Sequence, residues 1–334
     1  MQRSIIDVNA DVKAVLSSSD ANTIQRMTSG AAVVGLDISS TKNAASNADT
    51  QIVVNSGNTV KADRTDSGSG AIGLYTDYGI LNVKSGATVD VETDTTNTVN
   101  DMAVGLYAVN GSKIENEGDV KVGGKKSIGI FSKDGEVKAT DGNIELKGGE
   151  DNIALYANGG KIDYTGNITV NKSTLAGAKG NTNGTGNMAV FAASPNNYVK
   201  VNGNIIMDTR DTVAIYSDNT KVDLNGKLDI KLKPESTGKN IAIYAKNSSA
   251  TSPVTVQTNQ SKIEIDGKKY VYKEPRNEFR IPQRQFTTFL KKGEALTTLV
   301  NINKLINMGF KEFVKPLVAV NKRHYGFIDR KSVV

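Results

Sequence analysis

Two short phrases of apolar and polar residues return along most of this chain. The first is apolar, small, apolar, aromatic, small, as in Val104-Gly105-Leu106-Tyr107-Ala108. It recurs at Ile72–Thr76, Ile128–Ser132, Ile153–Ala157, Met188–Ala192, Val213–Ser217 and Ile241–Ala245. The second is an alternating run, a turn at glycine and another alternating run, as in Lys113–Val122 around Gly118. Its turn glycines are Gly57, Gly86, Gly118, Gly142, Gly166, Gly203 and Gly226, separated by 29, 32, 24, 24, 37 and 23 positions. A unit of 24 residues, the spacing from Gly118 to Gly142 and from Gly142 to Gly166, enlarged in places by loops, marks a stacked array.

The alternation predicts the architecture. In Val120-Lys121-Val122, Ile144-Glu145-Leu146, Ile168-Thr169-Val170, Leu228-Asp229-Ile230 and Ile263-Glu264-Ile265 the middle residue is polar. A period of two sends the outer pair to one face of a strand and the middle residue to the other. Three short strands fit one unit: the aromatic phrase, the run before glycine and the run after it. Stacked coil on coil, they predict an all-β fold, a right-handed parallel β-helix, over residues 1–267. Like residues then repeat at about 4.8 Å, and eight or nine coils make a rod roughly 40 Å long. Residues 1 to about 30 read as a partial first coil, with Ala10 at the glycine position. In the second coil Val33-Val34-Gly35-Leu36 stands for the aromatic phrase, with Asp37 where tyrosine is expected.

Strict alternation through the aromatic phrase points Val104, Leu106 and Ala108 inward and Gly105 and Tyr107 outward. A ladder of Tyr75, Tyr107, Phe131, Tyr156, Phe191, Tyr216 and Tyr244 then climbs one outer face. Its plainer role is stacking that holds the coils in register, since aromatic neighbours across strands contribute about 0.2–1 kcal/mol per pair. Its functional reading is a stripe for binding carbohydrate or protein. Gly105 and its equivalents are expected to be small so that a loop or ring can lie against the backbone.

Residues 268–334 break the pattern and read as a basic tail, a cap or linker. Pro275, Phe279, Pro282 and Phe286 mark an irregular stretch, and from Thr287 to about Val314 apolar residues recur at helical spacing, interrupted by Gly293 and Gly309. A short mixed or helical tail is therefore predicted. Six of the eight Phe residues lie in it, which suits a cap over open strand edges.

Composition adjusts this picture in places. The chain has 32 Gly, 6 Pro and no Cys, which fits short strands joined by tight turns and excludes disulfide and thiol chemistry. The net charge of +6 misleads as an average: residues 268–334 hold 15 Lys and Arg against 5 Asp and Glu, so the repeat body is mildly acidic. The basic tail reads as a solvated segment, with an anionic surface as the sharper alternative. No apolar run reaches the ~20 residues needed to span a bilayer as a helix. Residues 1–20 lack a secretory leader. The abrupt start, with no capping unit, favours a piece of a longer chain.

Chemistry is sparse. The single histidine, His324, lies in the tail, so no serine–histidine–aspartate set can form in the repeats. Gly123-Gly124-Lys125-Lys126-Ser127 brushes against a phosphate-loop pattern but sits between strands and reads as a turn. The calcium-binding Gly-Gly-x-Gly-x-Asp pattern is absent. Asp90, Glu145, Asp229 and Glu264 recur on outward strand positions, as the acids of a glycan-cleaving β-helix enzyme do, but Lys121 and Thr169 hold the same place in other coils. Solvated charges explain them better. No catalytic, metal or cofactor site is expected.

At the unit Val-Gly-Leu-Tyr-Ala-Val-Asn-Gly-Ser-Lys-Ile-Glu-Asn-Glu-Gly-Asp-Val-Lys-Val, residues 104–122, the chain resembles the passenger repeats of Gram-negative type V autotransporter adhesins, those of fusobacteria above all. The resemblance spans residues 30 to 266. It implies a non-catalytic surface or secreted segment, an adhesin or stalk binding a protein or glycan on host cells or other bacteria. It implies no nucleic-acid partner and an outer-membrane β-barrel on the parent chain or a neighbouring frame. The alternative is a β-helix enzyme acting on polysaccharides, of lyase or hydrolase type.

Overall fold

The computed structural model describes residues 4–16, 33–40, 50–64, 70–93, 102–171, 186–193, 197–209, 212–218, 220–225, 229–232, 241–246, 255–259, 262–265, 268–270, 319–324 and 327–333. All regular elements among them are strands. The chain divides into two units, Met1–Lys268 and Lys269–Val334.

The first unit is a parallel β-helix. Its first sheet collects the strands that precede the turn glycines, nine of them from Ser4–Val8 to Thr255–Asn259. The second collects the strands that follow, from Val12–Leu16 to Lys262–Ile265. The third holds eight strands from Val33–Ser39 to Ile241–Lys246, the aromatic phrases. Each strand pairs in parallel with its equivalent one coil away, so the ladders run across coils rather than within them. Asp37 lies beside Tyr75, as the sequence suggests.

The alternation places the core in the first two sheets. Val120 and Val122 are fully buried while Lys121 between them is half-buried. The same holds for Ile144, Leu146 and Glu145. Together with Leu74, Leu106, Ile130 and Leu155 of the third sheet they form one continuous apolar interior. Each such side chain contributes about 1.5–3 kcal/mol by leaving water. One volume exception is informative. Tyr164 occupies the inward place that Ala139 and Val201 hold in adjacent coils, and its hydroxyl donates to the Asn167 carbonyl at 2.9 Å. Burial pushes that phenol far above its usual range.

The turn between the first two sheets is a stack of glycines. Gly142, Gly166 and Gly203 have φ of 85°, 154° and 139°. A Cβ on any of them would run into the carbonyl of the turn glycine one coil before. The next residues stack as well: Asn143 Nδ2 donates to Asp119 at 3.1 Å, Asn167 Nδ2 to Asn143 at 2.9 Å and Asn204 Nδ2 to Asn167 at 2.9 Å. The corner before the third sheet is closed by buried amides. Asn152 Oδ1 accepts from the Ser127 N–H at 2.8 Å, and Asn187 Oδ1 from the Asn152 N–H at 3.0 Å. These groups satisfy backbone donors that a bend takes out of the ladder.

Two expectations need correction. The first concerns phase in the aromatic phrase. Gly105, not Val104, faces the interior: a Cβ on Gly105 would strike Val120 and come within 3.4 Å of Val122. Gly73 and Gly129 face Val89 and Ile144 in the same way. In later coils Ala154, Ala189 and Ala214 fill this place and are fully buried. Leu106, the next residue, also points inward. Two consecutive inward residues mean that the strand turns a corner, and the ladder skips the small residue there: Ile128 pairs with Ile153 and Ile130 with Leu155. Small residues stand here because the bend presses the backbone against the core, not because a loop lies over them.

The second correction is register. Ile230 pairs with Ile205, so Asp229 aligns with Asn204 and the column after the turn glycines, and Lys231 aligns with Ile206 in the strand column.

In the second unit Ala319–His324 pairs antiparallel with Phe327–Val333, with a register shift at Lys322/Arg323. The helical spacing at residues 287–314 and the irregular stretch around Pro275 and Pro282 lie outside the described residues.

Candidate binding site on the third sheet

The third sheet carries the candidate site because its phase slip turns two columns outward in each coil. One is the aromatic ladder. The backbone register places Tyr75 beside Tyr107, Tyr107 beside Phe131, and so on to Tyr216 beside Tyr244. All seven predicted residues thus form one continuous column. Ring centroids are 5.3, 4.8, 5.0 and 4.9 Å apart from Tyr75 to Phe191, with planes nearly perpendicular. From Phe191 through Tyr216 to Tyr244 the rings change to stacked pairs, 4.9 and 5.3 Å apart. Both arrangements suit the ring quadrupole and contribute about 0.5–1.5 kcal/mol per pair beyond area. Burial raises the Tyr107 phenol, and burial followed by the fields of Asp77, Tyr107 and Asp37 raises that of Tyr75. These hydroxyls therefore stay neutral at all ordinary pH.

The other column off the core is aliphatic: Ile72, Val104, Ile128, Ile153, Met188, Val213 and Ile241, joined through the same register. Val104 and Ile128 lie outside the core cluster but are covered by their neighbours and only 5% and 8% accessible. The sequence reading turned Val104 inward and so missed it. The signal was available. A small residue between two large apolar ones, coil after coil, is what a strand needs to bend over a packed core. Exposure grows toward the last described coil, where Ile241 is 40% and Tyr244 41% accessible.

At the third to sixth coils the two columns form the floor of a groove of about 610 Å³. Ile72, Val104 and Ile128 lie beside Tyr107, Phe131 and Tyr156, with Gly70, Ala71, Met102 and Lys126 completing the lining. Of the seven ladder residues, Tyr75, Phe191, Tyr216 and Tyr244 do not line it. Met102 is 45% exposed. Lys126 is exposed on a turn, at φ 57°, held by its N–H donating to the Glu150 carbonyl at 2.8 Å. Its neighbour Lys125 pairs with Glu150 at 3.3 Å, which leaves Lys126 the cation of the groove.

The outward acids of the second sheet are arranged differently. The strand column runs Lys61, Asp90, Lys121, Glu145, Thr169, Ile206, Lys231, Glu264, largely alternating in sign. Lys147 Nζ donates to Asp90 and, at 3.4 Å, to Glu92. Burial works against the Lys147 charge, but the bonds and fields of Asp90 and then Glu92 outweigh it and raise its pKa. Glu145 accepts from Asn171 Nδ2 at 2.8 Å. Asp90 and Glu92 thus share the Lys147 ammonium, and Glu145 is held by an amide on the same face. Among the described residues no group of three His, Cys, Asp or Glu is placed to hold a metal ion. No described helix is long and apolar enough to cross a membrane. Comparison with protein-family models, with curated proteins and with solved structures gives no match for this chain.

Proposed function

We propose that this chain is a non-catalytic binding module displayed at a cell surface, an adhesin or stalk that meets a protein or glycan on host cells or other bacteria through the outer face of its third sheet. The observation that carries this reading is the pair of outward columns, aromatic and aliphatic, running side by side along the stack. Folded chains seldom leave contiguous apolar surface in water unless it meets a partner. A stacked array suits that use, since each coil repeats the same patch one rung on. The resemblance of residues 104–122 to autotransporter passenger repeats supports the surface setting. The tethered acids Asp90 and Glu145 support binding without turnover over the polysaccharide-cleaving alternative.

The test uses the full chain, fluorescently labelled, incubated with epithelial cells and with other bacteria. A Tyr244→Ser/Ile241→Ser double variant changes two half-exposed outward residues and is expected to lower cell binding at least severalfold without unfolding. Equal binding by both proteins would refute the role of this face. Release of reducing or unsaturated sugar from acidic polysaccharides, abolished by Glu145→Gln, would replace the proposal with the enzymatic reading.

A further inference from the structure

We infer that the groove over the third to sixth coils is a site for a small apolar carboxylate, a free long-chain fatty acid being the best-fitting occupant. This goes beyond surface attachment and does not depend on it. Three observations carry it.

The first is size. A volume of about 610 Å³ lies within the range of small-ligand pockets, whereas an adhesive face needs no concavity.

The second is the lining. Ile72, Val104, Ile128, Phe131 and the exposed Met102 offer no hydrogen-bonding side chain. Among the described residues the side-chain donors around the groove are the phenols of Tyr107 and Tyr156 and the Lys126 ammonium. A sugar in this place would lose water from many hydroxyls and regain few partners, and each unpaired group is costly. An alkyl chain has nothing to lose there and gains from leaving water.

The third is charge. Lys126 is the only charged residue of the lining, and no carboxylate lines the groove among the described residues. One exposed cation beside an apolar floor selects a ligand with one negative end. The Tyr107 phenol, held neutral by burial, adds no repulsion. The ammonium meets the carboxylate at the wet rim, while the chain lies along the outward aliphatic and aromatic columns.

The experiment titrates the full chain with sodium laurate below its micelle threshold, followed by calorimetry and by tyrosine fluorescence, which is unobscured because the chain has no Trp. Dodecanol, dodecyltrimethylammonium and a cello-oligosaccharide serve as comparison probes. Laurate is expected to bind saturably at one site and more tightly than dodecanol, with the cation weakest. Lys126→Gln is expected to weaken laurate about three- to tenfold and to leave dodecanol unchanged, the size set by one partly screened ion pair. Met102→Ser, a neutral change at an exposed position, should weaken laurate and dodecanol alike. The inference fails if laurate does not saturate a site, if all alkyl probes bind equally, if both variants bind laurate as the parent does, or if the oligosaccharide displaces laurate. A protein that binds laurate and not cells overturns only the attachment reading. One that binds cells and not laurate overturns only this one.

Discussion

Gly105→Ala tests the central geometric finding, because its sign differs between the two possible phases of the aromatic phrase. The Gly105 φ lies outside the left-handed region, so alanine is compatible with the backbone. If the position faced outward, the added methyl would only restrict the unfolded chain and stabilise the protein by about 0.4–1 kcal/mol. The structure has it facing inward. The new Cβ would overlap Val120, lie 2.6 Å from the Gly129 carbonyl and 3.4 Å from Val122. A backbone carbonyl in a stacked ladder cannot yield as a long side chain does. Overpacking of this kind costs about 1–3 kcal/mol. On a domain of this size that lowers the melting temperature by roughly 2–10 °C. Thermal unfolding followed by far-ultraviolet circular dichroism reads the shift, with urea unfolding as a second measure. Adding Val120→Ala removes one of the two obstructions. The double variant is therefore expected to be less destabilised than the sum of the single changes, a coupling that contact predicts and distance does not. An unchanged or higher melting temperature for Gly105→Ala would show that the small residue points to solvent, and the outward aliphatic column would fall with it.

Other outcomes follow from the same geometry. Tyr107→Ala removes ring contacts to Tyr75 and Phe131 and is expected to cost about 1–3 kcal/mol, whereas Tyr244→Ala, which loses one described contact at a half-exposed ring, costs less; equal losses in urea unfolding would refute the additive column. Asn167→Ala breaks side-chain bonds to Asn143 and Asn204 and should destabilise by about 1–2 kcal/mol, while Asn167→Asp, which keeps the oxygen that accepts from Asn204 and loses only the donor toward Asn143, should recover part of it. The Lys147 pKa is raised in the folded state, so its stabilisation is complete below its unfolded value of about 10.4 and is lost as pH climbs through the folded value. The stability difference between the parent and Lys147→Met is therefore expected to be flat from pH 7 to about pH 10 and to shrink above it. A difference that grew with alkaline pH would reverse the assignment.

Much of this was open to reading in the linear chain. Where residues alternate regularly, as in Val120-Lys121-Val122, a period of two leaves one solution, and burial follows it. The seven aromatic positions were legible because the same phrase recurs once in every coil, whatever the length of the loop between, and stacking like phrases brings their rings to one column. The turn glycines were legible as turns, but the Asp119–Asn143–Asn167–Asn204 ladder was not. Asparagine after glycine is ordinary turn chemistry, and only register shows that each amide reaches the next. Asp229 belongs two positions, one full alternation, before the column it was expected in, because Leu228-Asp229-Ile230 alternates as well as Ile230-Lys231-Leu232 does, and the pairing of Ile230 with Ile205 decides between them.

By itself, then, the order of residues determined a parallel array with an apolar interior, its coil length and its aromatic stripe, since these depend on local period and repetition. Tertiary structure alone decided which way Gly105 and Val104 face, because a bend that directs two successive residues inward is imposed by the core on the opposite wall. From that one slip of phase come the second outward column, the groove beside Lys126 and both functional proposals.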